Sequence, residues 1–213
     1  LLFSCPHLIP DRKAYLLDAS NENPGKAIAS VLQKLEMAGA TIAAIPSNIV
    51  HAEPIFSFIK AETARTGSAL QLLHIVHETV RFVDENYPDT MVGVISTAGE
   101  QLYSLYRAAF IEKGFDVVTP EGTEQEKVNN AIYDAEYGIK AQPVPIANKA
   151  REDLLSAMDD LKKKGAQVII LGCAELPLAI PERDYNGMIV IDPNRILARA
   201  LIHAVAPDKL KPL

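Results

Sequence analysis

At 213 residues and 48% hydrophobic, the chain is long enough for one domain of ordinary core size or two small ones, and its composition fits no class of disorder. A formal net charge of −6, a pI near 5.4 and the lack of any Lys/Arg block argue against nucleic acid or an anionic membrane as partner. The longest apolar stretches, such as "VIILGCA", fall far short of the roughly 20 residues that a membrane helix needs.

In chain order, Leu1 already stands inside an apolar run with neither an initiator Met nor a signal-peptide start, so the natural N-terminus is expected upstream. "NPGKAIASVLQKLEMAG" (23–39) reads as a helix, with Pro near its start, apolar Ile28, Val31, Leu32 and Leu35, and Gly39 as its stop. "TIAAIP" (41–46), "MVGVIST" (91–97), "FDVVTP" (115–120), "QVIILG" (167–172) and "MIVID" (188–192) read as strands buried on both faces, because they are nearly continuous rather than alternating. Between them, 99–114, 124–138 and 147–165 carry helical periodicity and end on Gly114, Gly138 and Gly165. The βαβα order implies an α/β protein with a mainly parallel, doubly wound sheet and ligands at the carboxyl ends of its strands. A weak internal duplication suggests two similar Rossmann-like halves: 1–88 with 188–213, and 91–187. The crossings fall at "NYPDT" (86–90) and "PERDYNG" (181–187).

The duplication lies in two strand endings. "ILGCAELPL" (170–178) stops on Gly172 and Cys173, and "AAIPSNIVH" (43–51) has Ser47 where the first has its sulfur. Two cysteines, Cys5 and Cys173, make neither a disulfide framework nor a zinc cluster, so free thiols in a reducing, cytoplasmic compartment are expected. Cys173 sits between a strand end and a helix start, where a thiol pKa is lowered from about 8.5. Taken alone, it is equally well a small buried hydrophobe.

The stretches "IPDRKAYLL", "IPSNIVHAEPIF", "GVISTAGEQLYSLYRAAFIEKGFDVVTP", "EKVNNAIYDAEYGIKA", "GAQVIILGCAELPLAI" and "IDPNRILARALI" resemble the aspartate/glutamate racemase family, aspartate racemases in particular, over nearly the whole chain. The family's first strand with its Gly-rich turn has no counterpart. The resemblance implies a cofactor-independent racemase of two α/β domains, usually a homodimer, with its active site in the cleft between them. There, two cysteines face the substrate α-carbon from opposite sides, one removing the proton and the other delivering it. Racemisation without pyridoxal phosphate needs such a base and acid on a rigid, dry scaffold.

By this resemblance Cys173 and Ser47 are the catalytic pair, acting on a small acidic amino acid, aspartate or glutamate. Ser47 replaces one thiol, and an aliphatic hydroxyl is no base without an activating neighbour. "SNI", "GCAE" and "STAGE" stand where the family has "CNT", "GCTE" and "ATxGT", so Ile49, Ala174 and Glu100 replace expected hydroxyls; Lys13 and Asn194 replace further threonines. Arg12 of "PDRK" and Lys140 of "YGIKA" match family cations associated with substrate carboxylates. Asn48 and Thr97 lie at strand-to-helix turns suited to anions or to helix capping. Glu100, Ala174 and Glu175 complete the substrate-binding set, and His51 has a supporting role. His74 and His77 of "HIVHE" lack a third ligand and read as structural, and His203 as a helix-face residue. No metal and no cofactor is expected. The alternative from another class is a catalytically impaired descendant that binds a small molecule or regulates.

Overall fold

The computed structural model describes residues 1–97 and 100–212, with the backbone alone for 100–104. The chain divides into two units, Leu1–Ile75 with Leu197–Leu213, and Val76–Ile196.

In the first unit, α1 (Arg12–Leu17) starts where the Asp11 carboxylate accepts the Ala14 N–H at 2.8 Å. α2 (Gly25–Met37) buries Ile28, Ala29 and Leu32 and stops at Gly39, whose φ of +95° only glycine adopts without strain. β1 (Ile42–Ala44) follows, two residues short of Pro46, which has no N–H to give a ladder. A 3₁₀ turn (Asn48–His51) leads into α3 (Glu53–Arg65) and then β2 (Gln71–Leu73), which runs parallel to β1 with Ala43 opposite Leu72. β2 is three residues long and its first faces solvent, too little for a periodicity to reveal. Ile28, Leu32, Ala43, Val50, Ile55 and Ile59 form this unit's core.

The chain enters the second unit along α4 (Ile75–Asn86). β3 (Val92–Ile95), α5 (Glu100–Glu112), β4 (Val117–Val118), α6 (Gly122–Tyr133), α7 (Asn148–Lys163), β5 (Val168–Leu171), the one-turn α8 (Leu176–Ala179), β6 (Asp184–Tyr185), β7 (Met188–Ile191) and α9 (Pro193–Val205) follow. The sheet order is β4-β3-β5-β7-β6, all parallel except the β6–β7 pair. β3 and β5 are buried at every position, as a sheet covered on both faces demands, and each Val, Ile or Leu so placed contributes about 1.5–3 kcal/mol. Residues 188–196 lie in this unit, although the duplication groups them with the first half, because β7 pairs along β5.

Gly114 and Gly165 end their helices with φ of +90° and +98°, as expected. Gly138 does not: α6 stops five residues earlier, at Tyr133, and the Asp134 carboxylate gathers the N–H groups of Glu136 and Tyr137. The chain then folds back on the last turn of α6, with Ile139 N–H bonded to the Ala131 carbonyl (2.8 Å) and Lys140 N–H to that of Ile132 (3.1 Å). Glycine is required at 138 because a Cβ there would lie 2.5 Å from the Asp134 carbonyl oxygen. Gly138→Ala should therefore cost about 1–3 kcal/mol, read as a lower urea midpoint with unchanged slope. An unchanged midpoint would show that this close approach does not constrain the loop.

Candidate functional site

Each unit gathers one group of the residues singled out from the sequence. In the second unit, the Gly172 N–H continues the β3–β5 ladder by one bond, to the Ile95 carbonyl at 2.7 Å. A Cβ on Gly172 would meet that carbonyl at 3.0 Å and the Ser96 Cβ at 3.2 Å, so glycine lets the two strand ends close together. Cys173 leaves the sheet next, with Thr97 and wholly buried Ser96 at the end of the neighbouring strand. Ala174 is exposed.

The Cys173 thiol donates to Glu175 Oε2 at 2.8 Å, and Glu175 Oε1 lies 3.2 Å from Lys140 Nζ. Burial first, and then the hydrogen bond to and charge of Glu175, push the thiol up to about 12. This corrects the lowered pKa expected for a cysteine at a helix start: α8 is a single turn with little dipole to offer, and a carboxylate two residues away outweighs it. Glu175 itself resists burial, which acts to raise its pKa, because the Cys173 thiol and Lys140 hold it below the usual carboxylate range. Burial would lower Lys140, yet the Glu175 charge leaves it raised. The resting site thus pairs a protonated thiol with an ion pair.

Two residues that sequence reasoning missed belong to this surround. Lys140 Nζ stands over the Tyr133 ring, 4.7 Å from its centroid, and Gln125 Nε2 donates to the Ser96 carbonyl at 3.1 Å. Both lie on α6, and only the unforeseen fold-back after Tyr133 brings Lys140 over that ring. The Glu100 side chain lies outside the described residues.

In the first unit, Ser47 follows β1 in extended conformation (φ −147°, ψ 110°) and precedes the Asn48–His51 turn, against which α1, with half-buried Arg12 as its first residue, packs. Asn48 is buried inside the turn rather than capping it; Ser47 holds the cap position. His51, also buried, bonds through Nδ1 to the Ser47 carbonyl at 2.9 Å. Its ring stacks on Phe56 at 5.0 Å and meets His74 edge-on at 4.6 Å. His51 thereby holds the main chain at Ser47. Among the described residues, no three His, Cys, Asp or Glu side chains are grouped to hold a metal ion.

The chain is similar in sequence and fold to known proteins. A curated protein of Pectobacterium carotovorum subsp. carotovorum, an uncharacterized protein in the pnlA 3′ region, is 30% identical over 93 residues; the match takes in 44% of this chain, which spans 57% of that protein's length. The fold matches the Picrophilus torridus aspartate racemase (TM-score 0.74, 23% identity, 96% of this chain and 78% of that one). It also matches an aspartate racemase homologue from Pyrococcus horikoshii OT3 (0.67, 24%, 90% and 79%). A glutamate racemase of Francisella tularensis subsp. tularensis SCHU S4, solved with D-glutamate, matches at 0.61 (16%, 98% and 70%). The family model for Asp/Glu/Hydantoin racemase fits residues 1–201, and the chain belongs to that family.

Proposed function

We propose that the protein is an amino-acid racemase that needs no pyridoxal phosphate, acts on aspartate or glutamate, and moves the α-proton with Cys173. The observation that carries this reading is the Cys173–Glu175–Lys140 chain at the carboxyl end of a central parallel strand, where α/β sheets bind ligands. Arg12 and Lys140 supply cations for the substrate carboxylates, and Thr97 and Asn48 supply polar groups at strand ends. By family resemblance, Ser47 is the counterpart of the second thiol in the chemistry. Family resemblance and a composition with free thiols support a cytoplasmic homodimer.

With its proton held toward Glu175, Cys173 is disposed to return a proton to a planar carbanion. To remove one it must first lose its own, and Ser47 offers no thiolate as counterpart. We therefore expect lopsided chemistry: α-proton exchange with solvent from one enantiomer, little net inversion, and a gain in inversion for Ser47→Cys. Proton NMR of L- and D-aspartate and L- and D-glutamate in D2O measures all three. A binding or regulatory role is the second reading, favoured by the raised pKa of the Cys173 thiol. It replaces the first if neither wild type nor Ser47→Cys exchanges any α-proton while the amino acid still binds.

The raised thiol sets a second expectation. A cysteine held near 12 has about a thousandth of the thiolate of an ordinary one at pH 8, partly offset by the greater nucleophilicity of a more basic sulfur. In Cys5→Ser protein, alkylation of Cys173 should be on the order of thirtyfold slower than in an unstructured peptide, with its pH midpoint far above 9. Glu175→Gln, which removes the acceptor charge, should move that midpoint down. Peptide-like labelling in the wild type would show that burial and Glu175 do not hold the proton.

A further inference from the structure

Lys140 is the cation that the proposed function assigns to a substrate carboxylate, yet in the structure its charge already has two neighbours. One is the Glu175 carboxylate at 3.2 Å; the other is the face of Tyr133, 4.7 Å from Nζ to the ring centroid. Tyr133 is 46% exposed, large for an aromatic ring at the last position of a helix that buries Val128, Ala131 and Ile132. The fold does not need that ring as core. Its position relative to Lys140 is nonetheless dictated by backbone: the Asp134 turn, close-packed Gly138 and the Lys140 N–H bond to the Ile132 carbonyl bring residue 140 back beside residue 133.

We infer that Tyr133 is a positioning residue for the substrate carboxylate: its ring face holds the Lys140 ammonium at the mouth of the site and keeps it there when an incoming carboxylate competes with Glu175. This rests on the racemase reading. A lysine has four rotatable side-chain bonds and loses much freedom when fixed by one ion pair alone. A ring face attracts the cation through its quadrupole without neutralising it, so the charge remains available to an anion. A second carboxylate in place of the ring would hold the lysine as well but would repel the substrate. Tyr133 thus supplies position without cancelling charge, whereas Glu175 supplies position by cancelling it.

The experiment compares wild type, Tyr133→Phe and Tyr133→Leu in two readouts. The first is the ring-current shift of the Lys140 ε-methylene protons in lysine-labelled protein, assigned with Lys140→Arg. An upfield shift is expected in wild type and in Tyr133→Phe, and its loss in Tyr133→Leu. The second is the Kd of succinate and of aspartate by calorimetry, with KM and kcat wherever turnover or exchange is measurable. Tyr133→Leu should weaken binding on the order of threefold and raise KM with kcat unchanged, while Tyr133→Phe stays at the wild-type value. A wild type without the ring-current shift overturns the inference, and so does a Tyr133→Leu protein that loses the shift but binds as tightly as Tyr133→Phe. If the shift is present but wild type binds neither succinate nor aspartate, the acidic-substrate reading falls, and the role given to Tyr133 falls with it. If substrates bind and exchange normally in all three proteins, the racemase reading stands and this inference alone fails.

Discussion

The β3–β5 ladder and its terminal bond, Gly172 N–H to the Ile95 carbonyl, are the constraint on which the second unit depends. Four parallel residue pairs, all buried, bring the strands into register, and the glycine lets that register run one residue past the last side chain. Because both faces of these strands are buried, apolar content alone would not resist a one-residue slip; the close packing at the glycines does, since a Cβ on Gly93 would meet Ile169 Cδ1 at 2.7 Å and one on Gly172 the Ile95 carbonyl at 3.0 Å. The chemistry inherits this rigidity. Cys173 and Thr97 leave adjacent strands at the same end of the sheet, and neither position depends on a long loop. Polar groups at the end of a strand whose remainder is wholly apolar are held firmly without needing partners of their own along its length.

What the ladder positions, electrostatics then charges. Glu175 faces the thiol with one oxygen and the ammonium with the other. The arrangement resolves the competition in one direction: the carboxylate keeps its charge because the Cys173 thiol and Lys140 support it, and the thiol keeps its proton because it is largely withdrawn from solvent and that charge is close. An anion that shared the Lys140 charge, with the ammonium still in place, would weaken its support of Glu175 and make that carboxylate a better acceptor for the Cys173 proton.

The fold was legible in the sequence where burial was two-sided and helices ended on positive-φ glycines. β3, β5 and β7 follow from unbroken Val/Ile runs, and Gly39, Gly114 and Gly165 stop their helices as steric reasoning requires. Gly138 looked the same in sequence but serves a close backbone approach, which no periodicity encodes. β2 and β6, of three and two residues, are too short to carry a pattern. In the site, Cys173 was legible because an apolar run ends on it, whereas its protonation was not. That depends on depth of burial and on the direction in which Glu175 points, and both are tertiary facts. Tyr133 and Gln125 were missed for a related reason: each acts across a fold-back or a strand end that sequence spacing does not disclose.

Ser47 is best understood against the scaffold around it. His51 bonds to its carbonyl, Val50 N–H to the same oxygen, and its own N–H to the Ile45 carbonyl, so the backbone at 47 is held irrespective of the side chain. A φ of −147° is open to any residue, and nothing in this conformation demands a hydroxyl. A cysteine at 47 would therefore change acidity and leave the backbone in place. A thiol titrates near 8.5, whereas an aliphatic hydroxyl stays neutral at every physiological pH, so the difference lies in which proton transfers are accessible. The clustered His51, Phe56 and His74 rings, one pair stacked and the other two edge-on, would serve a cysteine equally well. The backbone support at 47 thus fixes where the side-chain atom stands, and acidity is the property that a cysteine there would change.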